Sequence, residues 1–173
     1  MKSKYALLII DVQAGLFNKS MKVYNSESLL NNINQLIDFF HCNKDMVIFI
    51  RHTNENILAK GTQNWNIHHD LHFMESDIVV DKRKSNVFDE KNLIPILEKK
   101  SIEKVVIVGL VTHGCVQAAC YGARQNGLEV ILIGDAHSSF NKKAEELILE
   151  WNKKISLEEG MSVLSTEDFC CNG

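Results

Sequence analysis

Short apolar runs rich in β-branched residues recur along this chain, with amphipathic stretches between them. Residues 5–10, 46–50, 78–80, 105–109 and 129–133 each read as a strand buried on both faces, and 162–164 as a short last one. Between the first two, Leu29, Leu30, Ile33, Leu36, Ile37 and Phe40 recur at helical spacing, with Ser26 placed to cap the helix. Asn92 opens another helix, whose Pro95 falls in the tolerant first turn. Residues 116–126 are helical with Gly127 placed to stop them, and Asn141 starts a further helix running through Trp151. Strands alternating with helices predict an α/β fold. It is a three-layer, doubly wound, Rossmann-like parallel sheet of about six strands with helices on both faces. No linker, repeat or low-complexity segment breaks the pattern, so residues 1–173 read as a single domain.

One stretch has no period. Residues 53–75 hold Gly61, Trp65 and three histidines, His68, His69 and His72. Long irregular segments inside compact domains are usually functional. A net charge of −3 gives no bulk electrostatic case for nucleic acid or an anionic membrane. No run approaches a membrane span, and the first residues lack the apolar core of a signal peptide. Five cysteines, an odd number without framework spacing, point to reduced thiols and a cytoplasmic protein. Cys170 and Cys171 lie at the very end, where fraying is expected.

The chemistry gathers around residues 105–119. A buried strand ends at Gly109, a turn carries Gly114 and Cys115, and a helix follows. The two glycines have the spacing of a phosphate loop, but Cys115 and Val116 stand where Lys and Ser/Thr would hold phosphate and magnesium. Free backbone N–H groups and the helix dipole at such a place favour a thiolate. Asp11 and Lys82 also fall at or just past the carboxyl end of a predicted strand, where ligands bind in open α/β sheets. Each has an ordinary reading: Asp11 as a turn former, Lys82 as one of a solvated charge run, Cys115 as a small buried hydrophobe. Together they make a mechanism. The ammonium of Lys82 favours the thiolate of Cys115, the Asp11 carboxylate takes its proton, and backbone N–H groups of the turn hold an oxyanion. Phe17, Trp65 and Phe88 are candidate apolar walls for a small-molecule substrate.

These stretches resemble the isochorismatase-like cysteine hydrolases, a family that includes nicotinamidases and N-carbamoyl amide hydrolases. Leu7-Leu8-Ile9-Ile10-Asp11-Val12-Gln13 is similar to the first-strand motif that supplies the catalytic Asp. Lys82-Arg83-Lys84-Ser85-Asn86-Val87-Phe88 is similar to the Lys motif, and the position of its Phe selects Lys82 over Lys84. Residues 109–116 resemble the nucleophile motif, and Asp135-Ala136-His137-Ser138-Ser139-Phe140 the acidic turn after strand five. The resemblance implies Asp11, Lys82 and Cys115 as catalytic residues and a cis Leu110–Val111 peptide. It also implies an oxyanion hole from the N–H groups of Val111 and Cys115, and a homo-oligomer, dimer or tetramer. Nicotinamidases carry an Asp-x-His pair and a further His for a metal. Here Arg51-His52-Thr53-Asn54 follows strand two without the Asp, so neither nicotinamide nor a metal is expected, and no cofactor is implied. The histidines at 68, 69 and 72 complete no familiar ligand pattern. Isochorismatases proper cleave a vinyl ether without needing the thiol; Cys115 favours the amide-cleaving branch. The expectation is a hydrolase of small amide or carbamoyl C–N bonds acting through a thioester. The rivals are a vinyl-ether hydrolase using Asp11 alone and a non-catalytic thiol sensor built on Cys115 and Cys120.

Overall fold

The computed structural model describes residues 4–140 and 142–172. Six parallel strands form one sheet: β1 (Tyr5–Ile10), β2 (Met46–His52), β3 (Ile78–Lys82), β4 (Lys104–Leu110), β5 (Glu129–Ser138) and β6 (Met161–Leu164). Their order is β3-β2-β1-β4-β5-β6. Period-two alternation divides the core into two layers. Ala6, Leu8 and Ile10 of β1 face one way, toward Leu93 and Leu97 of α3 (Leu93–Lys99), Ala119 and Ala123 of α4 (Gln117–Gln125) and Trp151 of α5 (Ala144–Ile155). Leu7 and Ile9 face the other way, toward Ile33, Leu36, Ile37 and Phe40 of α2 (Ser26–Asn43) and Phe169 of α6 (Thr166–Asn172). Among the described residues, no helix is long and apolar enough to cross a membrane.

Local chemistry explains where elements begin and end beyond their expected limits. Ser26 is the first residue of α2 rather than its cap. Asn25 precedes it in the left-handed region, and its side chain makes no capping bond. Asn141 lies outside the described residues, and the helix after it runs over Ala144–Ile155. Strand β5 does not stop at Ile133. Its register on β4 jumps from Ile107↔Leu132 to Gly109↔His137, a bulge that lets the strand resume through Ser138. The segment expected as an acidic turn is therefore the second half of β5. Asp135 is spent on structure: its Oδ1 accepts from the N–H and the hydroxyl of Thr166, at 2.9 and 2.8 Å, which pins the start of α6. The chain end does not fray as expected. Phe169 stacks on Phe40 with ring centroids 5.8 Å apart and seals the α2 layer. A one-turn helix, α1 (Ala14–Phe17), also falls where no period announced it.

Candidate active site

The strand order reverses between β1 and β4, and the crevice beyond the carboxyl ends of those strands is where such sheets bind ligands. Asp11 follows β1 directly, in the left-handed region at φ 52°, its N–H donating to the Ile50 carbonyl at 3.0 Å. The Leu110–Val111 peptide is cis. After it the turn Thr112–Val116 closes on the Val111 carbonyl, which accepts from Gly114 N–H at 2.9 Å and Val116 N–H at 3.3 Å. Cys115 sits in this turn, ahead of α4 rather than at its first residue. Lys82 ends β3 in register with His52, the last residue of β2. Both point to the layer that holds Val80 and Ile50, so the lysine stem runs over the end of β2 toward β1.

Lys82 thus has a fully buried side chain with its ammonium at the centre of the site. Its Nζ donates to Asp11 Oδ2 at 2.9 Å and lies within hydrogen-bond reach of Cys115 Sγ at 3.2 Å. It also meets His52 Nδ1 and the Lys84 carbonyl, each at 3.2 Å. Asp11 Oδ1 is buried and accepts no hydrogen bond from the described residues. The carboxylate, the His52 ring and the thiol sulfur lie within 4.8 Å of one another. Burial first, and then the Asp11 carboxylate, push the Cys115 thiol up to about 11, against the pull of Lys82. This reverses the low pKa expected of a cysteine beside a helix terminus. Loss of water around a half-buried sulfur and a facing anion outweigh one ammonium. The raised pKa favours the thiol form, and the Asp11 carboxylate lies beside the sulfur to take its proton.

Gln13 at the end of β2 and the Thr112–His137–Asn152 chain behind the turn hold this arrangement. Gln13 clamps the end of β2: its Oε1 accepts from His52 N–H at 2.8 Å, and its Nε2 donates to the carbonyls of His52 and Trp65 at 3.0 and 2.8 Å. Behind the turn, Asn152 Nδ2 donates to the Gly134 carbonyl at 2.9 Å, so its Oδ1 accepts from His137 Nε2 at 2.8 Å. His137 Nδ1 must then accept from the Thr112 hydroxyl at 2.9 Å, which fixes the ring as one tautomer. Burial lowers His137 to about 4 and keeps it neutral for that bond. The available hint was positional, since Gln13, Thr112 and His137 lie inside the first-strand motif, the nucleophile motif and the motif after strand five.

Residues 5–167 match the family described as the isochorismatase domain. The chain belongs to that family. It is 30% identical over 133 residues to the secreted isochorismatase effector Isc1 of Verticillium dahliae, covering 75% of this chain and 70% of that protein. To nicotinamidase 3 of Arabidopsis thaliana it is 26% identical over 160 residues, covering 83% and 78%. Its fold superposes on an isochorismatase-like hydrolase from Alkaliphilus metalliredigens with a TM-score of 0.86 at 21% identity, covering 98% of each chain. The protein is a hydrolase of the isochorismatase family.

The residues of this isochorismatase-family chain do not fit a nicotinamidase-type metal. Thr53 follows His52, and its hydroxyl accepts from Trp65 Nε1 at 2.9 Å. Asp11, His52 and Cys115 have their lone pairs turned onto the Lys82 ammonium, a cation already at the centre of that group. His68 Nδ1 accepts from Asp70 N–H at 3.3 Å, and His72 pairs with Asp38 at 2.9 Å. Phe88 is buried in the layer that holds Cys115. Trp65 and Phe17 belong to the opposite layer, Trp65 beneath the Arg51 guanidinium at 3.6 Å and Phe17 against the His68 ring at 4.3 Å. A crevice of about 160 Å³ beside Lys82 is lined by Thr53, Lys60, Asp81, Arg83 and Glu90. A cavity of about 560 Å³ lies at the other end of the sheet, where Tyr5, Met46 and Ile78 begin their strands.

Proposed function

We propose that this protein hydrolyses the C–N bond of a small amide or carbamoyl compound through a thioester on Cys115. The observation that carries this reading is the meeting of the Asp11 carboxylate, the Lys82 ammonium and the Cys115 sulfur in one buried cluster. Asp11 takes the thiol proton as sulfur attacks the carbonyl carbon, and Lys82 donates to the sulfur as it becomes anionic. The C–S bond forms and the carbonyl electrons move onto oxygen, facing the N–H groups of Val111 and Cys115. Collapse breaks the C–N bond, and Asp11 returns the proton to the leaving nitrogen. Water, deprotonated by Asp11, then attacks the thioester. The acid leaves, and the sulfur takes its proton back. Trp65, Phe17 and Phe88 are proposed to flank the substrate. The names of nicotinamidase and maleamate amidohydrolase among its relatives support amide chemistry. A cytoplasmic location, which five free cysteines suit, and a dimer or tetramer belong to the same proposal.

The test is a panel of primary amides, ureido acids and isochorismate, read as ammonia or acid release. It is run with wild type, Cys115→Ala, Cys115→Ser and Asp11→Asn. Amide turnover lost in all three variants supports the reading. Amide turnover retained by Cys115→Ala overturns it. Isochorismate cleavage that survives loss of the thiol but not Asp11→Asn assigns the vinyl-ether reaction instead.

A further inference from the structure

An ammonium has three N–H donors and no lone pair, yet the Lys82 nitrogen lies within hydrogen-bond reach of four acceptors. These are Asp11 Oδ2 at 2.9 Å, with His52 Nδ1, the Lys84 carbonyl and Cys115 Sγ each at 3.2 Å. One acceptor must go without. The carboxylate is the strongest partner. A neutral thiol sulfur is the weakest, so in the resting protein the third N–H belongs to His52 Nδ1. Once sulfur carries a negative charge the ranking inverts, and the thiolate outbids a neutral ring. Resting on the reading of Cys115 as nucleophile, we infer that His52 is a positioning residue that holds the third Lys82 N–H until the thiol ionises and then yields it to the sulfur.

The surroundings suit that role. Gln13 clamps both the N–H and the carbonyl of His52, which fixes the backbone from which the ring reaches Lys82. Register pairing with Lys82 brings the two side chains side by side on one face. The titratable groups around the thiol are Asp11 from β1, His52 from β2, Lys82 from β3 and, exposed on the thiol's own turn, His113. Arg51 and Asp81, one residue earlier on their strands, pair with each other at 2.8 Å on the opposite face. The facing ammonium has donors only, so Nδ1 of the ring is the nitrogen that accepts; burial and Lys82 lower the His52 pKa, which favours the neutral ring.

The test is iodoacetamide labelling of Cys115 against pH, read by mass spectrometry of its peptide. This requires no substrate. His52→Leu fills the space without an acceptor, so Lys82 loses its competing partner. Labelling below the midpoint should rise about five- to tenfold, the equivalent of one neutral hydrogen bond. Simple loss of polarity would shift the profile the other way. His52→Asn keeps an acceptor oxygen and should stay within about twofold of wild type by the same comparison. A slower or unchanged His52→Leu profile, or an Asn variant that behaves like Leu, overturns the inference. If either variant fails to fold, imidazole ¹⁵N shifts of the wild type decide. An unprotonated, hydrogen-bonded Nδ1 at neutral pH upholds the inference, and a protonated Nδ1 ends it. Amide turnover by Cys115→Ala would overturn the proposed function and leave this labelling result standing by itself.

Discussion

The Lys82 ammonium meets the Asp11 carboxylate at 2.9 Å with the two side chains only 0% and 5% exposed. Removing one member of so buried a pair leaves the other charge buried without its partner, which typically costs roughly 3–5 kcal/mol. Lys82→Met and Asp11→Asn should each lower stability by about that much in urea denaturation. The double variant should lose much less than the two single losses added together, because it leaves no orphaned charge. Additive losses would mean that the two groups are not coupled.

Gly109 carries a conformation and a contact that only glycine supports. Its φ is +117°, and a Cβ there would run into the backbone carbonyl of Ile10 on the neighbouring strand. Backbone cannot step aside as a side chain can. Gly109→Ala should therefore cost about 3 kcal/mol or more, as overpacking adds to left-handed strain. Gly61, at φ +84°, has nothing within 4 Å of its Cβ position. Gly61→Ala should cost only the conformational part, roughly 1–2 kcal/mol. Thermal melts of the two variants side by side check the difference.

The strands, their parallel arrangement and the meeting of Asp11, Lys82 and Cys115 were legible because each rests on a local signal. Those signals are an apolar run, a strand's carboxyl end and motif spacing. What stayed hidden depends on pairing between distant segments. The β5 bulge is a register relation with β4, so nothing within residues 129–138 announces that the strand resumes after Gly134. His52 gains its meaning from standing beside Lys82, thirty residues away in sequence. Cys115 looked acidic from its position, but its thiol is governed by how much water the fold removes and by Asp11 facing it.

His137 makes stability depend on acid. Burial lowers its pKa from the ordinary 6.5 to about 4, so the unfolded chain takes up a proton at a pH where the folded one does not. The stabilisation is full above pH 6.5 and is lost as pH falls toward 4. Integrated from pH 7 down to pH 5, the loss is roughly 2 kcal/mol. His137→Gln should start less stable at pH 7, because the bonds to Thr112 and Asn152 are disturbed. Its further loss on moving to pH 5 should be smaller than that of wild type by about that same 2 kcal/mol. Burial also lowers His52 and His68, but both remain in the variant, so the difference isolates His137. Equal losses in the two proteins would contradict this account.

The place a metal would take among Asp11, His52 and Cys115 is filled by the Lys82 ammonium. Exhaustive treatment with EDTA should accordingly leave amide turnover intact, and activity lost to EDTA and restored by zinc or iron would refute this. The same geometry predicts the effect of removing the ammonium. Lys82→Ala vacates the centre of three groups whose ligand atoms lie within 4.8 Å of one another, a carboxylate, an imidazole and a thiol. That donor set suits a soft divalent ion, and binding would itself ionise the thiol. Added cadmium should therefore give Lys82→Ala a thiolate-to-metal absorption band in the ultraviolet. It should also raise that variant's melting temperature, since an ion bound only by the folded state at about 100 times its Kd adds roughly 2.7 kcal/mol. Wild type, with the ammonium in place, should show neither effect at Cys115. The exposed Cys42 and Cys171 are removed by substitution beforehand so that they do not contribute to the band. A band of equal strength in wild type would show that Lys82 does not hold the centre of the site.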